Sequence, residues 1–382
     1  MTKYTSSPQH RVYASFFIYA VTLGGIFPRL GDLQQQMGIS EGTLGAALVG
    51  LAIGTQISLM FAGPLLERIG YRISLILCIP LLGMAEVVAS MALTPQFFFL
   101  CLMVGGLAIG ALEIIVNLEA DRTEHLMGRR IMNRSHAFWS FGFFAAGLVS
   151  AGVSQFNITP TIHLAGMAVV TSVLMFGYFY NFVPAQARVV EEGPAPKFVR
   201  PTSAVLMLVL FTLSAMMLEG GSADWSVIFM RDTFDTSPLI NTLAFAVGAF
   251  TQALSRYFAD HFVDKFGPIK IAKLLITTLG VGVVMVTISP NPVVALCGFA
   301  LMGVGTSAMF PLAMSAAAQR TDRPAATNVA SVAQLSFVTF LIAPPLLGLI
   351  AEHFGIRYSF GVGIPLVVVS WFALPALKPD KS

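Results

Sequence analysis

Twelve times along the chain, a run of about twenty apolar residues is closed off by a short island of charge. Coiled as a helix, a run of that length crosses a hydrocarbon layer roughly 30 Å thick. Hydrocarbon offers the backbone no hydrogen-bond partners, so each run must satisfy its own amides and carbonyls, and helix is the conformation that does so within one segment. The sequence is therefore read as an all-α membrane protein with twelve transmembrane helices. They are placed near 11–31, 42–65, 72–93, 98–119, 132–154, 161–182, 203–225, 237–259, 269–289, 293–316, 326–350 and 357–376. The same pattern explains why only 11% of the residues are charged, against about a quarter in a soluble chain. Net charge of +3 resides in the loops and is no nucleic-acid signal. Cys78, Cys101 and Cys297 all lie inside apolar runs with no metal-ligand spacing, so neither a disulfide framework nor a metal site nor another cofactor is expected. The first apolar run is too long for a signal peptide and reads as an uncleaved first helix.

Twelve spans put both termini on one side of the membrane. With the termini cytoplasmic, only Arg29, Arg231 and Arg357 of the 22 Lys and Arg fall outside, so the positive-inside rule orients the chain N-in, C-in. The stretch "VPAQARVVEEGPAPKFVRPTS" (183–203), with four prolines and mixed charge, reads as a break. It separates a first six-helix bundle (1–182), a cytoplasmic linker (183–202) and a second six-helix bundle (203–382). Internal repeats support that division. Glu67-Arg68-Ile69-Gly70 matches Asp264-Lys265-Phe266-Gly267 at an offset of 197, and Arg122-Thr123 matches Arg320-Thr321 at 198. The offset of 198 also pairs Gly105 with Gly303 and His136 with Gln334. Two pseudo-symmetric halves in parallel repeat are the relation found in one large class of transporters.

The segment "GPLLERIGYR" (63–72) resembles the G-x-L-x-D-R-x-G-R-K signature of the major facilitator superfamily. Gly63, Leu65, Arg68 and Gly70 match, Arg72 supplies a basic residue at the end, and Glu67 replaces the usual Asp. The strings "EGGSADWSVIFMRD" (219–232) and "GRRIMNRSHAFWSFG" (128–142), with the polar fourth helix, are similar to the MosC/YbjJ-like branch related to fucose permeases. That resemblance implies the major facilitator fold and secondary transport. Fucose-type permeases use one acid in helix 1 and one in helix 4. Here helix 4 offers candidates, while helix 1 has only Asp32 at its outer end. The second-half copy extends the expected inner latch. Glu67, Arg68, Arg72, Asp264 and Lys265, with Arg256 and Asp260 at i,i+4 on helix 8, form the inner gate.

Polar groups within apolar spans need a partner or a water-filled cavity. Glu113 and Asn117 share one face of helix 4 at i,i+4, and Gly106 and Gly110 continue that face. Glu113 is the leading proton-coupling candidate, followed by Glu219 and His136. Asn117, Trp139, Trp225 and Gln334 are the substrate-binding candidates. A short loop between helices 4 and 5 puts His136 level with Asn117 and Trp139 nearer Glu113. Glu119, beside Asp121, Arg122 and Arg130, reads as an interfacial latch residue, and Glu86 as structural. Gly24-Gly25 in helix 1 and Gly220-Gly221 in helix 7 mark expected helix breaks at matching places. Arg29, Asp32 and Asp224 form an outer gate, in which Arg29 pairs with Asp224 across helices 1 and 7.

Three function classes compete. The first is a secondary transporter moving a small polar solute, such as a sugar or cyclitol, by proton-coupled alternating access. The second is a proton-driven exporter or antiporter of a metabolite or drug-like compound. The third is a non-transporting membrane receptor. An enzyme is disfavoured, because the sequence has no nucleophile–base arrangement, and no phosphate-binding G-x-x-x-x-G-K supports ATP-driven transport. Expected partners are a small-molecule substrate, protons and the bilayer of a bacterial inner membrane, around a monomer.

Overall fold

Ser40, Thr94, Thr159, Ser237 and Asn291 each stand one residue before a helix and accept a hydrogen bond from the backbone N–H three residues on. The last four of these helices begin with proline. A side-chain acceptor at the N-cap and a proline in the first turn together satisfy or remove the unpaired amides of a helix start. The computed structural model describes residues 8–129, 131–186 and 201–378. Among the described residues, twelve helical segments are long and apolar enough to cross a membrane. They are α1 (Pro8–Met37), α2 (Glu41–Phe61), α3 (Tyr71–Ala89), α4 (Pro95–Met127), α5 (Met132–Gln155) and α6 (Pro160–Phe179). After them come α7 (Ser203–Thr233), α8 (Pro238–Phe266), α9 (Pro268–Thr287), α10 (Pro292–Ala318), α11 (Thr327–Phe354) and α12 (Ile356–Leu377). Among the described residues there is no strand. Most of the linker expected at 183–202 lies outside the described residues, as does Arg130.

Several helices run further than the apolar pattern suggests. α4 continues to Met127 and α1 to Met37, each ended by a glycine in the left-handed conformation, Gly128 (φ 62°) and Gly38 (φ 65°). Charged residues bar a segment from hydrocarbon but not from a helix, so the projecting turns carry them. The repeat is visible in the backbone. Gly70 (φ 85°, ψ 153°) and Gly267 (φ 83°, ψ 153°) adopt the same conformation at the turns into α3 and α9, one that in practice only glycine occupies. The expected breaks are realised unequally. α1 is helical to Gly24, passes through a 3-10 turn at Phe27–Arg29, and resumes at Leu30. α7 runs unbroken from Ser203 to Thr233. Pro28 removes an amide from the α1 break; α7 has no proline there, and its Gly220 and Gly221 admit the side chains of Phe340 and Leu347 from α11.

α1 packs on α5, α4 and α6, α2 on α4, and α3 on both α4 and α6; α7 is similarly surrounded by α8, α10, α11 and α12. The α2–α4 pair is very close: a Cβ on Gly54 would lie 2.0 Å from the Met103 carbonyl oxygen, and one on Gly106 2.2 Å from that of Leu51. Small residues let backbones approach where apolar burial gives no advantage over lipid. Two long seams join the first six spans to the last six, α5 on α8 and α2 on α11.

At the membrane face carrying Arg29, the two sets of helices are hydrogen-bonded together. Arg231 of α7 donates to the Gly31 carbonyl and to Gln34 Oε1, both at 2.9 Å. Glu352 of α11 accepts from Ser40 Oγ at 3.0 Å and from the Gly42 amide at 3.1 Å. A Cβ on Gly45 would sit 2.4 Å from the Pro344 carbonyl oxygen of α11. That end of the molecule is shut.

Candidate transport cavity

Glu124, near the end of α4, accepts the amides of Ile131 (2.7 Å) and Met132 (3.1 Å) at the start of α5. A carboxylate there complements the helix N-terminus and fixes the level at which α5 begins. One turn into α5, His136 Nε2 lies 3.1 Å from Asn117 Oδ1. Asn117 Nδ2 donates to the Glu113 carbonyl oxygen (2.8 Å) and to Glu113 Oε2 (3.1 Å). Tyr19 of α1 donates to Glu113 Oε1 at 3.0 Å. Three helices thus meet in one chain, Tyr19–Glu113–Asn117–His136, with Glu113 near the middle of α4. Trp139 stacks on Phe143 (centroids 4.4 Å apart) and meets Tyr19 edge-on, and its buried Nε1 has no partner.

Tyr19 escapes a search of the sequence for a helix-1 acid. It meets Glu113 as a neutral donor, and a lone tyrosine in an apolar helix looks like core. The face drawn through Gly106, Gly110, Glu113 and Asn117 is divided in the folded protein. Its glycines abut α2, where a Cβ on Gly110 would meet the Thr55 carbonyl oxygen at 2.5 Å; only its carboxylate and amide reach α1 and α5.

The second cluster centres on Arg256. Its Nε donates to the Ser307 carbonyl oxygen (2.8 Å), its Nη1 to Ser140 Oγ (3.0 Å), and its Nη2 lies 3.5 Å from Glu219 Oε1. In this structure Arg256 belongs to this cluster. It ties α8 to α10, to α7 and, through Ser140, to α5. Ser140 also bonds the His136 carbonyl oxygen at 3.3 Å, so the two clusters meet within one turn of α5. Its i+4 neighbour Asp260 accepts instead from Asn133 of α5.

Other expected sites fall elsewhere. Glu67, Arg68, Asp264 and Lys265 are exposed, and none belongs to an ion pair among the described residues. Arg72 donates to the Tyr180 carbonyl oxygen at 3.3 Å. Arg29 does not meet Asp224. It pairs with Asp32 on its own turn at 3.0 Å and donates to Ser154 and the Ile158 carbonyl oxygen, while Asp224 is buried on α7. The cross-helix cation is Arg231, which the sequence reading passed over. Trp225 is 0% exposed, packed beside Gly348 of α11, and presents no surface to a cavity. Gln334 is exposed and, by helical repeat, lies on the α11 face that carries Pro345 and Glu352 toward α2. Glu119 is buried and accepts the Ala185 amide at 2.8 Å, holding the chain that leaves α6 rather than a latch. Glu86 is buried in α3 with Oε1 unpartnered.

The family model described as Major Facilitator Superfamily matches residues 12–338 and 209–382. The chain belongs to the major facilitator superfamily. It is a membrane transporter of that superfamily, an integral multi-pass protein, and its similarity extends over whole chains. An uncharacterized transporter, y4wD, of Sinorhizobium fredii is 29% identical over 379 residues, covering 97% of this chain and 98% of the relative. Membrane protein MosC of Rhizobium meliloti is 22% identical over 364 residues, covering 94% and 88%. Among solved structures, a mutant form of the nucleoside transporter NupG superposes with a TM-score of 0.78 at 12% identity, covering 97% of this chain and 99% of that one. A D-xylose-proton symporter gives 0.72 at 14% identity, covering 98% of each. At those identities the structural likeness speaks for the major facilitator fold alone.

Proposed function

We propose that this chain is a proton-coupled secondary transporter of a small polar solute, a sugar or cyclitol, working by alternating access with both termini cytoplasmic. The moving units are the first six-helix bundle (1–182) and the second (203–382), joined by the linker 183–202. The observation that carries the reading is the pair of donors on Glu113. As a carboxylate, Glu113 accepts from both Tyr19 and Asn117. Once protonated it becomes a donor itself and gives up part of its acceptor capacity, so the contacts with Tyr19 and Asn117 weaken and re-sort. Asn117 also holds His136, so loading a proton on Glu113 rearranges the groups offered to a solute. The hydroxyl, amide, imidazole and indole beside it suit a neutral, hydroxyl-rich molecule. The similarly folded protein named as a D-xylose-proton symporter couples a sugar to protons, which agrees with this assignment.

Closure at the Arg29 face, with Glu67, Arg68, Asp264 and Lys265 in no ion pair among the described residues, fits a state in which the opposite side is the open one. In this reading those four residues form the inner gate of the other state, while Glu219 and Arg256 exchange partners during the cycle.

The test starts with a thermal-shift screen of the purified protein against sugars, cyclitols, amines and organic acids. The best ligand is then followed in proteoliposomes under an imposed inward proton gradient. Wild type accumulates it; Glu113→Gln loses gradient-driven accumulation and keeps counterflow exchange, whereas Asn117→Ala weakens binding itself. Normal accumulation by Glu113→Gln removes Glu113 as the coupling acid and leaves Glu219 next in line. Solute driven outward by the same gradient identifies an antiporter.

A further inference from the structure

Where α5 begins and α8 ends, a cavity of about 570 Å³ opens on the flank of the seam between them. Arg129, Asn133 and Arg134 line it from one side, and Tyr257, Phe258 and His261 from the other. Its place on the flank follows from the helix. Arg256 points inward to Glu219, so at about 100° per residue Phe258 lies roughly 200° round and His261 roughly 140°. Both point away from Glu219, while Tyr257 and Asp260, roughly 100° and 40° round, look into the seam itself. The groove also lies at the end of the apolar spans, where headgroups of the bilayer begin.

Its chemistry is graded along the membrane normal. Arg129 and Arg134 are exposed; Arg129 reaches Gln9, and the Arg134 guanidinium lies 5.8 Å from the centre of the Tyr257 ring. The one carboxylate in the lining, Asp260, already accepts from Asn133. One turn deeper on α8, Leu254 and Phe258 are exposed together at i,i+4 and continue the groove as an apolar strip. Cationic groups at the headgroup level, an aromatic hydroxyl beside them and an apolar strip below match an anionic phospholipid, phosphate above and acyl chain beneath.

We propose that this groove is a binding site for one anionic glycerophospholipid, held by Arg129 and Arg134 and bridging the α5–α8 seam. Because residues of the first six spans and of the last six both touch the lipid, its binding couples to how the two move against each other. The site is separate from the solute cavity. A failure to find coupled transport would leave it standing.

The test uses the full-length protein purified in detergent and analysed by native mass spectrometry with added phosphatidylglycerol. Wild type retains one phosphatidylglycerol through delipidation. The Arg129→Gln/Arg134→Gln variant holds it roughly 30-fold more weakly, at about a factor of five per arginine. Equal retention by wild type and variant overturns the site. Phe258→Ser, at an exposed position with both arginines intact, also lowers retention; no change there overturns the acyl-chain contact. Thermal shift separates the sources of phosphate: phosphatidylglycerol raises the wild-type midpoint and inorganic phosphate does not. Equal protection by inorganic phosphate overturns the lipid assignment.

Discussion

Neutralising Glu219 and Arg256 together should cost less stability than the sum of the two single neutralisations. The two charges are 3.5 Å apart, with side chains 24% and 11% exposed. At an effective dielectric of about 20 their attraction is roughly 5 kcal/mol. Withdrawing both groups from water offsets most of that, leaving a coupling of about 1–3 kcal/mol. In Glu219→Gln, Arg256 still donates to Ser140 and to the Ser307 carbonyl oxygen, but its charge, the more buried of the two, has no counterion. In Arg256→Gln the stranded charge is the better-hydrated Glu219, so the loss is smaller on the electrostatic side. The assay is a double-mutant cycle on unfolding free energy in mixed micelles, with wild type, Glu219→Gln, Arg256→Gln and the double variant. A positive coupling near 1–3 kcal/mol is expected, equivalent to at least a fivefold change in the folding constant. Additive single losses, within about 0.5 kcal/mol, refute the reasoning and make the contact incidental.

Arg231→Gln removes a charged donor from Gly31 and Gln34, a loss of about 1.5–3 kcal/mol of closure. Labelling of a cysteine placed at Ser40 should rise roughly tenfold or more, and unchanged labelling would mean that Arg231 does not hold that end shut. Gly45→Val should act in the same direction, because its side chain occupies the space of the Pro344 carbonyl. Gly54→Val, whose contact is with α4 inside the first six spans, should instead lower thermal stability and leave the labelling ratio unchanged.

Apolar run length and the scarcity of charge determine the twelve spans before any contact is known, since only helix satisfies a backbone in hydrocarbon. Ser40, Thr94 and Thr159 mark where helices start, and Gly70 and Gly267 where the repeat turns, because caps and positive-φ turns are local chemistry. The level of His136 beside Asn117 also follows locally, from the short connection between α4 and α5. Partners between distant segments are another matter. Arg29 had two carboxylates within reach of its face, and its own-turn neighbour Asp32 takes it, while Asp224 is turned into the core of the helices around α7. Arg256 and Asp260 share an i,i+4 face in sequence, yet one meets Glu219 and the other Asn133. Tyr19 looks like packing until α1 lies against α4, and Trp225 looks like a ligand platform until α11 covers it. Periodicity gives a side chain's direction on its own helix; which group waits there depends on the rotation and depth of a helix far along the chain, and only tertiary packing decides that.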